Sequence, residues 1–186
     1  ELLNIDISYL KEYLLDSDDG KTFENPCGQQ HYRLLAYISS ILPIGSNVLE
    51  IGTRWGVSAV ALSRNENINI VTCDIEDQSK YINRKNIKFI QADGYDLLEE
   101  YKYVDLIFMD VDPHDGIQER KMIKKLIDIG FKGVLLLDDI HLNQQMESFW
   151  RSITLDKYDL TQFGHYSGTG IVFFGDQKFT ILQTLR

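Results

Sequence analysis

Short apolar runs alternate with helical patterns through the central part of the chain. Residues 48–51, 70–73, 87–90, 106–109 and 134–137 are mostly apolar, which is typical of strands covered on both faces of a parallel sheet. Helical spacing lies between these runs, at residues 57–64, 78–83, 95–101 and 117–129. This β-α-β-α order predicts an open, doubly wound α/β sheet.

The two ends of the chain have different patterns. Residues 2–15 and 29–42 have amphipathic helical spacing, and the acidic connector at residues 16–20 is interpreted as a solvent-exposed loop. Residues 158–163 and 170–174 resemble strands, so they predict a C-terminal antiparallel hairpin. We expect a single domain, with an N-terminal helical cap at residues 1–45 and a Rossmann-like core at residues 46–186. Its mostly parallel sheet then has seven strands.

The turn after the first strand combines an acid with two glycines. Glu50 closes the strand, Gly52 and Gly56 follow, and Thr53 and Ser58 lie beside them. Glycine permits a sharp turn or the close approach of a ligand, although a plain turn is also compatible with this pattern. A ligand with a carboxylate, a charged amine and a ribose fits the turn, and S-adenosylmethionine (SAM) has all three. The G-x-G-x-x-G pattern of dinucleotide sites is absent.

Acidic residues follow each of the five central strands. They are Glu50, Asp74, Asp93, then Asp110 with Asp112, and finally Asp138 with Asp139. Open α/β sheets bind ligands at this edge, whereas helix capping accounts for one or two such acids. An acid in the position of Asp74 can accept hydrogen bonds from a ribose. Asp93 is placed to meet an adenine amino group.

The acids after the fourth and fifth strands form a candidate metal site. Neighbouring strands lie about 4.8 Å apart, so Asp110 and either Asp138 or Asp139 can reach one ion. Oxygen ligands favour Mg²⁺, Mn²⁺ or Ca²⁺. Because adjacent residues of a regular strand point to opposite faces, we expect Asp138 to bind the ion more directly than Asp139. The alternative role for Asp139 is helix capping or support of a ligand.

Composition excludes several classes of function. The formal net charge is −9, from 28 acidic and 19 basic residues, and the basic residues are scattered, which disfavours a nucleic-acid groove. Two cysteines do not make a disulfide framework. We see no apolar run of membrane-spanning length and no signal peptide. We therefore expect a cytoplasmic protein with no nucleic-acid or membrane partner, and a homo-oligomer is compatible with the sequence.

Taken in order, these motifs resemble those of class I SAM-dependent methyltransferases over residues 28–174. More narrowly, the chain is similar to metal-dependent O-methyltransferases of the catechol and caffeoyl-CoA type and to their bacterial sugar or natural-product relatives. That resemblance implies a cofactor site made by Glu50, Gly52, Thr53, Gly56, Ser58, Asp74, Ala92, Asp93 and Asp110. Within it, Glu50 faces the methionine amine and Ser58 the carboxylate. It also implies that Asp110, Asp138 and Asp139 bind the metal.

One position departs from the pattern of these families. The catechol and caffeoyl-type enzymes carry a lysine base three residues after the strand-four acid, where this chain has Pro113. His114 and His141 are the candidate bases, because an imidazole can accept a proton near neutral pH. His165 is a weaker candidate, and we predict no role for His31.

The resulting functional hypothesis is a SAM-dependent methyltransferase. We expect it to methylate a hydroxyl oxygen of a small molecule with the help of a divalent cation, Mg²⁺ above all. Three alternatives remain open from the sequence. They are a metal-independent methyltransferase, a protein that binds SAM without turnover, and a dinucleotide oxidoreductase.

Overall fold

A seven-stranded sheet organises the protein, for which a computed structural model describes residues 2–14 and 19–175. The strands are β1 (Asn47–Ile51), β2 (Asn69–Asp74), β3 (Ile87–Gln91), β4 (Leu106–Met109), β5 (Val134–Leu137), β6 (Lys157–Asp159) and β7 (Gly170–Phe173). Their order across the sheet is β3-β2-β1-β4-β5-β7-β6. The first five strands are parallel, and β7 runs antiparallel between β5 and β6. The predicted fold class is therefore confirmed.

The order of the strands places a switch point between β1 and β4. From β1 the chain builds outward through β2 and β3, then returns to add β4 on the other side of β1. The loops after β1 and β4 leave the sheet there side by side, which opens a crevice at its carboxyl edge. This crevice is where the described residues form the candidate site.

Seven α-helices are present in the described part of the chain. They are α1 (Lys11–Leu14), α2 (Asp19–Phe23), α3 (Pro26–Ile41), α4 (Val57–Leu62), α5 (Gly94–Leu97), α6 (Ile117–Asp128) and α7 (Gln144–Ser152). Short 3-10 turns lie at Leu2–Asn4, Ser8–Leu10, Ser79–Tyr81 and Thr161–Phe163. None of the described helices has both the length and the apolar character needed to span a bilayer.

The helices bury the two faces of the sheet in two separate cores. Alternation along each strand sends Val48 and Phe108 to one face, where they pack with α3 and α4. Leu49 and Ile107 point to the other face and pack with α6 and α7. Because both faces are covered, the central strands are apolar almost throughout, and that is why their positions are visible in the sequence.

Several predicted helices are shorter in the structure. The helix predicted at residues 2–15 is two 3-10 turns followed by α1, because the Asp6 side chain accepts a hydrogen bond from the Ser8 N–H (2.9 Å) and favours a turn. Residues 78–83 contain one 3-10 turn. In the range 95–101 the helix α5 ends already at Leu97. Most of the acidic connector lies outside the described residues, but Asp19 already begins α2.

The C-terminal hairpin is also shorter than predicted. Its first strand ends at Asp159, whose carboxylate accepts a hydrogen bond from the Thr161 N–H at 2.9 Å and starts a 3-10 turn. Before this hairpin lies α7, a helix that the helical patterns identified in the sequence do not include. Its signals are Asn143, whose side chain caps the Met146 N–H at 2.9 Å, and the buried residues Met146, Phe149 and Trp150 on one face.

Candidate functional site

The glycine turn after β1 brings the ends of two strands together. Gly52 has a φ of +100°, and a Cβ atom there would lie 1.8 Å from the Asp110 carbonyl oxygen. Its N–H donates to the Cys73 carbonyl at 2.9 Å. The turn therefore contacts backbone of both β2 and the end of β4, and only glycine fits. Gly56 (φ +72°) is the N-cap residue that precedes α4.

The first of two cavities at the carboxyl edge has a volume of about 410 Å³. It is lined by Gly52, Arg54, Cys73, Asp74, Ile75, Ala92, Asp93, Asp110 and His114, among others. The Asp74 carboxylate is held by the N–H groups of Arg54 (2.9 Å) and Glu76 (3.0 Å). The Asp93 carboxylate caps α5 by accepting from the Tyr95 N–H at 2.8 Å. Both predicted acids thus line a cavity while making local bonds.

The second cavity has a volume of about 420 Å³ and lies on the side of α3. Its wall includes His31, Tyr32, Gly52, Thr53, Trp55, Ser58, Asp110, His114, Asp138, Asp139, His165 and Tyr166. Gly52, Arg54, Asp110 and His114 line both cavities, so the two spaces adjoin at the switch point. Tyr166 is 82% exposed at the edge of the second cavity.

Glu50 is fully buried and lines neither cavity. Its Oε2 accepts a hydrogen bond of 2.5 Å from the Thr72 hydroxyl, which in turn contacts the Thr53 hydroxyl at 2.6 Å. Its Oε1 has no hydrogen bond of ordinary geometry among the described residues, although the Ser58 hydroxyl lies close enough to lower the pKa. Burial outweighs both hydroxyls and raises the pKa of Glu50 to about 7.

This raised pKa predicts a pH-dependent contribution to stability. The folded protein holds the Glu50 proton up to about pH 7, whereas the unfolded chain releases it near the ordinary value of 4.5. Stability should therefore fall as pH rises between these values, by about 3 kcal/mol from this group. In Glu50→Gln this fall should be absent. Urea unfolding at several pH values measures it, with exposed Glu99→Gln as the control, and equal slopes in wild type and Glu50→Gln would contradict the prediction.

Asp110, His114 and Asp139 form one group between the cavities. The His114 Nε2 atom lies 3.1 Å from Asp110 Oδ1 and 3.3 Å from Asp139 Oδ2. Burial raises the pKa of Asp110 to about 6, and the hydrogen bond to Asp110 raises the pKa of His114 to about 9. His114 and Asp139 both have positive φ values, 55° and 57°. Asp139 therefore leaves strand geometry. Its carboxylate reaches the imidazole ring of His114, which the Asp110 carboxylate also contacts.

His31, Asp138 and His165 form a second group, deeper in the second cavity. The His165 Nε2 atom is 2.8 Å from Asp138 Oδ1, and the His31 Nδ1 atom is 3.6 Å from the same oxygen. Burial raises the pKa of Asp138, but the two histidines outweigh it and hold that pKa below its usual value. Burial lowers the pKa of His165, but the bond to Asp138 leaves it above the ordinary value.

The structure thus divides the three predicted metal ligands between two groups. The ligand atoms of Asp110, His114 and Asp139 all lie within 4.8 Å of one another, and so do those of His31, Asp138 and His165. Asp139, which the sequence favours less than Asp138, is the acid grouped with Asp110. The physical reason is the left-handed conformation of Asp139, which the alternation of strand residues does not anticipate.

The histidines are distributed differently from the sequence expectation. His114 lines both cavities, whereas His141 lines neither and pairs with Asp159 at 2.7 Å. His165 and His31 line the second cavity. The one sequence signal for His165 is its place in the loop before β7, a strand that pairs with β5. His31 lies on α3 and gives no local signal.

Comparisons with known proteins bear on the fold. No protein-family model and no curated protein matches this chain. A Staphylococcus aureus protein assigned as a caffeoyl-CoA O-methyltransferase is 16% identical, with a TM-score of 0.63 over 92% of this chain and 93% of that one. A Bacillus cereus O-methyltransferase solved with SAH is 18% identical, with a TM-score of 0.60 over 92% and 93%. This chain has the methyltransferase fold.

A third structure with the methyltransferase fold is the MycE methyltransferase of mycinamycin biosynthesis, solved with Mg, SAH and mycinamycin VI. It is 17% identical, with a TM-score of 0.58 over 89% of this chain and 54% of its own length. At these identities the likeness concerns the fold, so the chemistry of the site depends on the residues of this chain.

Proposed function

We propose that this protein transfers a methyl group from SAM to a hydroxyl oxygen of a small molecule, with the help of a divalent cation. The observation that carries the proposal is the pair of adjoining cavities at the switch point, which share Gly52, Arg54, Asp110 and His114. A reaction between two bound molecules needs two such spaces meeting at one place. The solved structures with this fold include proteins named as O-methyltransferases and bound to SAH or SAM.

The first cavity suits the nucleoside part of SAM. Asp74 is fixed at its wall by two backbone N–H groups and would accept the ribose hydroxyls with its remaining lone pairs. Ala92 and Asp93 lie beside it and would border the adenine. Glu50 Oε1 is a buried oxygen without an ordinary hydrogen bond. Glu50 lies behind the cavity walls next to Ser58, which lines the second cavity, so this oxygen would accept from the charged amine of SAM where the two cavities adjoin. SAM supplies an electrophilic methyl group on its sulfonium.

The second cavity suits the acceptor. Its wall combines aromatic rings, among them Tyr32, Trp55 and Tyr166, with the carboxylates and imidazoles. His114 is the imidazole that lines both cavities, and its Nε2 atom contacts the Asp110 carboxylate. By position it is the better of the two predicted bases, and its pKa of about 9 means that it accepts the hydroxyl proton only in the fraction of molecules in which the ring is neutral. His141 lies outside both cavities.

Asp110 and Asp139 would hold the divalent cation, with the His114 imidazole beside them. Their ligand atoms lie within 4.8 Å of one another, and two carboxylates suit a hard cation. When bound, such an ion lowers the pKa of an acceptor hydroxyl and fixes its orientation. Asp138 belongs to the other group and is not needed for this site.

A methyl-transfer assay tests the proposal. The purified chain is incubated with SAM labelled on the methyl group and with extracts or panels of small hydroxyl compounds, with and without Mg²⁺. We expect labelled product, and calorimetry should detect SAH binding but no NAD binding. Binding of SAH without product across wide panels would favour a SAM-binding protein without turnover. Preferential NAD binding would exclude the methyltransferase hypothesis.

Asp74→Ala should weaken SAH binding. Loss of hydrogen bonds between a carboxylate and ribose hydroxyls costs about 1–3 kcal/mol, which is about a 5- to 150-fold change in Kd. Asp77→Ala is the matched control, because Asp77 is exposed, bonds the Ser79 N–H and lies outside both cavities. Calorimetry measures both. Equal affinity in Asp74→Ala and wild type would show that the first cavity does not hold the ribose.

A further inference from the structure

The group of His31, Asp138 and His165 combines three elements that are distant in the sequence. His31 lies on α3, Asp138 follows β5, and His165 lies in the loop before β7. The single oxygen Asp138 Oδ1 is 2.8 Å from His165 Nε2 and 3.6 Å from His31 Nδ1. The three ligand atoms thus converge on one small volume. The end of β5, helix α3 and the loop before β7 hold these three side chains in place.

Each ligand in this group is oriented by its surroundings. The Asp138 N–H donates to the Met109 carbonyl at 3.0 Å and so continues the hydrogen bonding between β4 and β5. The His165 Nδ1 atom contacts the Ser167 hydroxyl at 2.6 Å, which turns Nε2 toward Asp138. The His31 ring packs edge-on against the His165 ring, with centroids 4.6 Å apart. In metal sites generally, groups that do not bind the ion fix the orientation of the ligand imidazoles by hydrogen bonds.

The donor set indicates a class of ion. Two imidazole nitrogens and one carboxylate oxygen suit Zn²⁺, Co²⁺ or Fe²⁺ rather than Mg²⁺, which prefers oxygen and keeps its waters. His31 and Asp138 are buried, with 9% and 8% exposure, while the group as a whole opens into the second cavity. An ion here would have three protein ligands and free positions facing the cavity.

We propose that His31, Asp138 and His165 form a transition-metal site in the wall of the second cavity, separate from the Asp110–His114–Asp139 group. The site binds Zn²⁺ or Co²⁺ through two histidines and one aspartate. Its free positions face the acceptor space, so an oxygen or nitrogen atom of a small molecule in that cavity can complete the coordination. The site does not depend on methyl transfer, and its test is a binding measurement.

The experiment titrates the metal-stripped, full chain with Zn²⁺ by calorimetry and with Co²⁺ by visible absorption. We expect one ion at this site, with d–d bands of a nitrogen- and oxygen-ligated Co²⁺. His165→Gln and His31→Gln should each weaken binding by at least about tenfold. His141→Gln is the matched control, because His141 pairs with Asp159 outside both cavities, and it should bind like wild type.

Two further variants separate this site from its neighbour and from effects on folding. Asp110→Asn removes a carboxylate of the other group and should leave Zn²⁺ binding here unchanged. Asp138→Asn preserves size and should lose it, with circular dichroism confirming that each variant is folded. If the wild-type chain binds neither ion, or if Asp110→Asn abolishes binding while His165→Gln retains it, the site is refuted. Whether the metal site is supported or refuted, the SAH binding expected for the first cavity is unchanged.

Discussion

Gly52→Ala should destabilise the fold strongly. The new Cβ atom would lie 1.8 Å from the Asp110 carbonyl oxygen, which is backbone and cannot rotate away. The φ of +100° is itself unfavourable for alanine. Overpacking and strain together should lower the free energy of unfolding by at least about 3 kcal/mol, a large part of the stability of a typical domain.

Gly45→Ala is the matched control for this prediction. Gly45 also has a positive φ, +86°, but nothing lies within 4 Å of the position of its Cβ. It should therefore cost only the conformational penalty, about 1–2 kcal/mol. Thermal or urea unfolding of the two variants separates steric contact from backbone strain. A Gly52→Ala protein as stable as Gly45→Ala would mean that the β1 turn and the end of β4 are not in contact.

The five parallel strands could be located from the sequence because burial on both faces makes their composition distinctive. Residues 106–109 and 134–137, for example, are the observed β4 and β5 without a change of boundary. The helices were less predictable where side chains bond the local backbone. Asp6 and Asp159 each accept from a nearby N–H and replace helix or strand with a turn.

In the candidate site, chain topology determines some positions and tertiary packing determines the others. Parallel strands place their carboxyl ends at one edge, so the sequence places Asp74 and Asp110 at one crevice. The pairing of Asp110 with Asp139 depends on a φ of 57° at Asp139, and residue type alone does not specify it. His31 reaches the crevice only because α3 packs across the sheet, so no local pattern marks it.

The dependence on tertiary packing explains why the metal prediction changed most. Counting acids at strand ends gives three candidate ligands, but the structure groups them with His114 from the same loop as Asp110 and with His31 and His165 from other segments. Nitrogen donors alter which cation each group would prefer. The two groups lie beside each other, with His165 Nδ1 at 3.9 Å from Asp139 Oδ1. Variants that affect one group must therefore be compared with variants of the other.

Asp110→Asn should abolish most of the proposed methyl transfer. Asp110 lines both cavities and contributes a carboxylate to the group with His114 and Asp139. Without that charge a divalent cation loses a principal ligand, and the acceptor hydroxyl loses the interaction that favours its deprotonation. An effect of about 3 kcal/mol on the transition state corresponds to a rate about 150-fold lower. Wild-type activity should fall comparably in EDTA and return with Mg²⁺.

The control for Asp110→Asn is Asp128→Asn, an exposed aspartate of α6 that pairs with Lys124 and lies outside both cavities. It should keep wild-type turnover. SAH affinity is measured in parallel, because Asp110→Asn keeps the main chain that contacts Gly52 and should still bind SAH within about tenfold of wild type. Full activity of the wild-type chain in EDTA, or normal activity of Asp110→Asn, would rule out cation assistance at this group. The methyltransferase assignment would then stand on the two cavities alone, with Asp110 and Asp139 serving to hold the His114 imidazole between them.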